Sequence, residues 1–216
     1  MTGLTQSQRL IWAGQKLFPD ATLYNMALAF TFEGSIDVAR FVKANQRLTE
    51  VCETFRTIFS EKNGVPSRTV LDTPTAPLEV IDLTAAADPN EAAASWLKDR
   101  AQQCFQLDHS LTDQVLLRLS SSQSIWYLNQ HHLITDGATA GLVFDAMRRV
   151  YQDEDVELPA FDAYAAFEAK TNSEKAQAYW ETKIASPAPP PVILHGRSLV
   201  VESIASERVV VKLGKE

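Results

Sequence analysis

Residues 124–137 constrain what this chain can fold into more than any other stretch. Ile125, Trp126, Tyr127 and Leu128 form an apolar run that reads as a strand. Leu142, Val143, Ala146, Met147, Val150 and Tyr151 then recur at helical spacing. Between them lies a short polar loop that contains His131, His132, Leu133, Ile134, Thr135, Asp136 and Gly137. A strand that turns so quickly into an amphipathic helix is a unit of an α/β fold. The loop falls at the strand's end, where such folds tend to place their chemistry.

The flanking chain supplies the rest of that fold. Thr5 with Gln8 is a capping box, and Leu10, Ile11, Gly14, Leu17 and Phe18 continue a helix that Pro19-Asp20 ends. Met26, Leu28, Phe30 and Phe32 alternate with Ala27, Ala29 and Thr31, which predicts a strand. A second helix is expected over 36–52, on Val38, Phe41, Val42 and Leu48. Residues 53–59 read as a strand, Lys62-Asn63-Gly64 as a hairpin turn and 68–71 as the returning strand. Arg56 is the odd member there, either facing solvent or pairing with a buried carboxylate. An edge strand is expected at 78–83, a helix at 91–105 and a strand at 114–119. His109 reads as a solvated loop residue, and 162–185 as helical with a break near 171–173. The expected architecture is α/β, a mixed β-sheet packed by helices in a two-layer sandwich. Residues 1–186 form that lobe. Residues 187–216, a proline-rich linker and two strand-like pieces, read as the start of a further lobe.

Composition removes several function classes. A chain of 216 residues with 45% hydrophobic and 22% charged residues can bury a sizeable core. A formal net charge of −7 argues against nucleic acid or an anionic membrane surface as partner. No apolar run approaches the roughly 20 residues of a membrane span, and the first residues do not read as a secretion signal. Cys52 and Cys104 are too few for a disulfide framework and read as buried thiols in a reducing cytoplasm.

Parity then divides the histidines. If 124–132 is extended, His131 and His132 face opposite ways, so one is expected to work and the other to be structural. Several chemistries remain open on these residues. A metal would have only Asp136 as a nearby third ligand. A hydrolase triad would need a nucleophile elbow, and no G-x-S-x-G occurs. Two histidines merely satisfied at a strand end is the plainest alternative. The last is a general base for transfer chemistry. An imidazole suits proton removal near neutrality, and the first turn of the next helix offers backbone N–H groups to an oxyanion.

The run His131-His132-Leu133-Ile134-Thr135-Asp136-Gly137 resembles the HHxxxDG signature of nonribosomal peptide synthetase condensation domains, which are chloramphenicol-acetyltransferase-like acyltransferases. Other motifs follow in order. Residues 5–12 resemble the family's opening helix motif and 51–59 its RHExLRTxF motif. Residues 161–167 sit where its Tyr-rich motif falls, and Gln177-Ala178-Tyr179-Trp180 also fits. The resemblance implies that His132 works as base or as positioner of the amine, and that His131 is structural. It implies that Asp136 pairs with Arg56 as a strut and that Gly137 faces the reaction channel. The implied reaction joins a donor acyl thioester to an acceptor amine. Donor and acceptor carrier domains bring both on 4'-phosphopantetheine arms, with no cofactor or metal bound by this domain itself.

The departures are Val51 and Cys52 in the second motif, and Phe161 and Phe167 in the later one. Family members have two lobes with the site between them. This chain matches the N-terminal lobe, so the fragment alone is expected to be inactive without its C-terminal lobe and neighbouring synthetase domains. A stand-alone or starter acyltransferase and a non-catalytic recruitment module are the alternatives. Epimerisation domains share the histidines, whereas cyclisation domains carry aspartates there.

Overall fold

The computed structural model describes residues 3–73, 77–171 and 174–185. The chain divides into two compact units, residues 1–169 and 170–216. The first unit is built on a four-stranded sheet. Its strands are β1 (Asn25–Glu33), β4 (Glu79–Asp82), β5 (Thr112–Arg118) and β6 (Gln123–His131), in the order β1-β6-β5-β4. β6 pairs antiparallel with β1 and β5, and β4 runs parallel to β5, so the sheet is mixed. A separate hairpin joins β2 (Thr57–Lys62) to β3 (Val65–Val70). Its turn puts Asn63 at φ 53° and Gly64 at φ 78°. That left-handed pair is what an Asn-Gly hairpin turn requires.

The helices start where side chains cap them. Thr5 and Gln8 form a reciprocal capping box on α1 (Gln6–Leu17). Asp37 caps α2 (Val38–Val51), and Asp88, followed by Pro89, caps α3 (Pro89–Arg100). Asp136 caps α4 (Gly137–Tyr151). On one face of the sheet, Phe41 and Leu48 of α2 and Val143 and Met147 of α4 pack with Leu116, Trp126 and Leu128. On the other face, Ala93, Trp96 and Leu97 of α3 meet Val115, Leu117, Ile125 and Tyr127. β6 is thus covered on both sides, and eight of its nine residues are buried. That is why its sequence reads as a continuous apolar run and not as an alternation. A third cluster joins Trp12 of α1, Phe59 of β2, Leu111, Leu133 and Ile134 beside the histidine loop.

Helix α5 (Phe161–Thr171) begins in the first unit, and α6 (Glu174–Ile184) lies in the second. Three expectations need correction. Glu53–Arg56 is a 3₁₀ turn, so the strand expected from 53 starts at Thr57. The α2 cap at Cys52 and the bond from Thr57 Oγ1 to Glu53 O tighten the chain there. Helix α3 stops at Arg100, where Asn25 Nδ2 donates to the carbonyls of Ala101 and Gln103 and draws the chain aside. Cys52 is buried, but Cys104, beyond the end of α3, is exposed. The linker and strands expected at 187–216 lie outside the described residues. No helix among the described residues is long and apolar enough to cross a membrane.

Candidate active site

The loop after β6 is held by hydrogen bonds and by the burial of Leu133 and Ile134. Its strand ends at His131, so His132 is the first residue of the turn. The backbone N–H of His131 donates to Leu111 O and that of His132 to Tyr24 O. The N–H of Ile134 returns to His131 O, and Gln8 Nε2 donates to Leu133 O at 3.0 Å. The α1 capping glutamine therefore also fixes the loop.

His131 is fully enclosed, 1% exposed, with the rings of Tyr24 and Phe105 beside it. The backbone N–H of Leu133 donates to its Nδ1 at 3.1 Å, and its Nε2 lies 3.2 Å from Gln15 Oε1. A backbone N–H can only donate, so Nδ1 carries the lone pair and Nε2 the proton. Gln15 can accept that proton because its own amide donates to the carbonyls of Phe18, Pro19 and Ala21. Burial, with a smaller contribution from neighbouring His132, pushes the His131 pKa down to about 4. His131 is a neutral ring with both nitrogens occupied.

His132 is arranged the opposite way. Its Nδ1 lies 2.7 Å from Thr135 O. A carbonyl can only accept, so Nδ1 carries the proton and Nε2 the lone pair. The ring is exposed and lines a cleft of about 470 Å³ with Thr5, Ser7, Ile11, Asp136 and Tyr164 among its neighbours. An imidazole locked at one nitrogen and basic at the other can take a proton from a group entering that cleft.

Asp136 accepts from Thr139 N and Thr139 Oγ1, both at 2.7 Å. The backbone and hydroxyl hydrogen bonds from Thr139 hold its carboxyl below the usual carboxylate range. The expected strut to Arg56 is not formed. Arg56 instead donates through Nη1 to Leu71 O, across the base of the β2–β3 hairpin. The physical reason is local: the helix N-terminus offers Asp136 two donors three residues away, and the 3₁₀ turn carries Arg56 towards the end of β3. Gly137 opens α4, and a Cβ placed on it would meet nothing within 4 Å, so the space beside it is open.

The loop is thus legible in the sequence, but its supports are not. Gln15 could have been found as a polar residue on the stripe of α1 that buries Trp12. Leu133 O and Thr135 O carry no side-chain signal at all. Phe161 and Tyr164, which also line the cleft, are legible only as part of the 161–167 run where the family's Tyr-rich motif falls, with no place in the site expected of them. Among the described residues no group of three His, Cys, Asp or Glu is placed to hold a metal.

Residues 1–216 match the family described as Condensation domain. This chain belongs to the condensation domain family. A linear gramicidin synthase of Brevibacillus parabrevis is 30% identical over 201 residues, 86% of this chain and 4% of that protein. Isonitrile lipopeptide synthase of Streptomyces coeruleorubidus is 29% identical over 220 residues, 96% of this chain and 15% of that protein. The starter condensation domain of rhizomide synthetase, solved as a mutant with C8-CoA and Leu-SNAC, superposes at a TM-score of 0.80 with 29% identity. That match covers 91% of this chain and 48% of the solved one. The condensation-domain chain therefore spans about half the length of that solved relative, with the same mixed sheet packed by helices.

Proposed function

We propose that this chain supplies the His132 side of a condensation site that forms amide bonds in nonribosomal peptide synthesis. The observation that carries the reading is the bond from His132 Nδ1 to Thr135 O, which leaves Nε2 basic in a cleft. The acceptor amine attacks the carbonyl carbon of the donor thioester, and a C–N bond forms. His132 Nε2 takes or steers the proton lost by the nitrogen. The tetrahedral intermediate then collapses, the C–S bond breaks, and the proton leaves with the thiol. Both substrates arrive on phosphopantetheine arms of donor and acceptor carrier domains, which makes those domains the partners and the cytoplasm the setting. Residues 1–186 serve as the N-terminal lobe. The half of the solved relative that this chain does not span would supply the opposite wall.

The test uses the full-length protein with an acyl thioester donor and an aminoacyl thioester acceptor. His132→Ala is expected to lower the rate of amide formation about a hundredfold or more. An unchanged rate would remove His132 from the chemistry. A second reading, a starter acyltransferase that takes a fatty acyl donor, is favoured by the rhizomide relative, which was solved with C8-CoA. Turnover of a free acyl-CoA donor in place of a carrier-bound peptidyl donor distinguishes the two.

A further inference from the structure

One wall of the His132 cleft is helix α5, through Phe161 and Tyr164. This helix contributes no fully buried residue. Polar contacts help to hold it, and several of them gather around one buried cation. Arg68 of β3 is 2% exposed and donates through Nη2 to Asp162, whose side chain is 60% exposed. Its guanidinium also lies over the Phe161 ring, 4.9 Å from the centroid. Glu53, in the 3₁₀ turn, accepts from Phe161 N at 3.0 Å and sits 4.0 Å from Arg68 Nη1. At the far end of α5, Glu168 Oε2 accepts from Gln6 N at the start of α1. A carboxylate suits that helix N-terminus.

Burying a guanidinium is costly unless its partners stay in place. Here two of those partners, Asp162 and Phe161, belong to α5 itself. The charge therefore opposes any movement of the helix away from the hairpin.

We propose that Arg68 is a positioning residue for the His132 cleft, which fixes α5 over it through Asp162, Phe161 and Glu53. This rests on the reading of the cleft as the substrate site. The pairing crosses from the hairpin to the cleft wall, so the hairpin sets how wide the cleft stands for substrate.

The test compares Arg68→Met and Asp162→Asn in the full-length protein; the second alters only an exposed partner and spares the fold. Loss of one charge-assisted contact corresponds to roughly tenfold faster amide hydrogen exchange in α5, with exchange in α4 unchanged. In amide formation the KM for substrate should rise several-fold while kcat changes less, and Arg68→Lys should restore part of the loss. A merely structural role would lower the folded fraction, and so kcat, at constant KM. Unchanged α5 exchange in both variants, or faster exchange at constant KM, overturns the proposal. If the wild-type protein forms no amide, the functional reading fails on its own. Carbethoxylation of His132 by diethyl pyrocarbonate then reads the cleft instead. A several-fold faster reaction in both variants supports the positioning role, and an unchanged rate overturns it.

Discussion

Two adjacent histidines with opposite surroundings give the residue scale its clearest consequences. His131 has a folded pKa of about 4 against an ordinary 6.5. Its folded pKa is depressed, so as pH falls through about 6.5 the unfolded chain takes up a proton that the folded one refuses. Stability is fully present above that value and drains as pH drops towards about 4, by roughly 1.4 kcal/mol per pH unit. Urea unfolding between pH 7 and pH 4.5 should show that slope, and His131→Asn should flatten it. An equal slope in both would contradict the neutral buried ring. Asp136 makes a second case. As the α4 cap, its loss in Asp136→Ala should cost about 1 kcal/mol, and Asp136→Asn much less. Because Arg56 bonds Leu71 O and not Asp136, a double-mutant cycle on the two should be additive within about 0.5 kcal/mol. A larger coupling would restore the strut.

At the scale of elements, legibility followed what the side chains themselves encode. Thr5 and Gln8 announced α1, Asn63 and Gly64 announced the hairpin turn, and the apolar run of β6 announced a strand. The same signals failed where the backbone decides. The 3₁₀ turn at Glu53–Arg56 carries strand-like residues, and α3 ends where Asn25 reaches across from β1 to the carbonyls of Ala101 and Gln103 just beyond it. Neither contact leaves a local pattern. In the active-site loop, the identities of His131, His132, Asp136 and Gly137 were readable, whereas the Asp136 partner was not, since capping and ion pairing use the same carboxylate. Gly14 shows a further hidden constraint. A Cβ there would come within 2.1 Å of the Tyr24 hydroxyl oxygen and 3.0 Å of its ring. The same Tyr24 accepts the His132 N–H through its carbonyl and packs its ring beside His131. Gly14→Ala should therefore cost about 1–3 kcal/mol in urea unfolding. A change within a few tenths would show that Tyr24 moves freely.

For the molecule as a whole, the first unit works as a frame that delivers one strand end. The sheet brings β6 between α3 on one face and α2 and α4 on the other, and α1 receives the loop through Gln8 and Gln15. The consequence of that packing is a pair of neighbouring imidazoles held as opposite tautomers. Nitrogen-15 NMR of histidine-labelled protein at pH 8 measures this directly. The expected spectrum has His131 protonated at Nε2 and His132 protonated at Nδ1, with the His132 Nε2 signal lost in His132→Ala. The same tautomer in both rings, or a proton resident on His132 Nε2, would contradict the claim that this fold presents a basic nitrogen to the cleft.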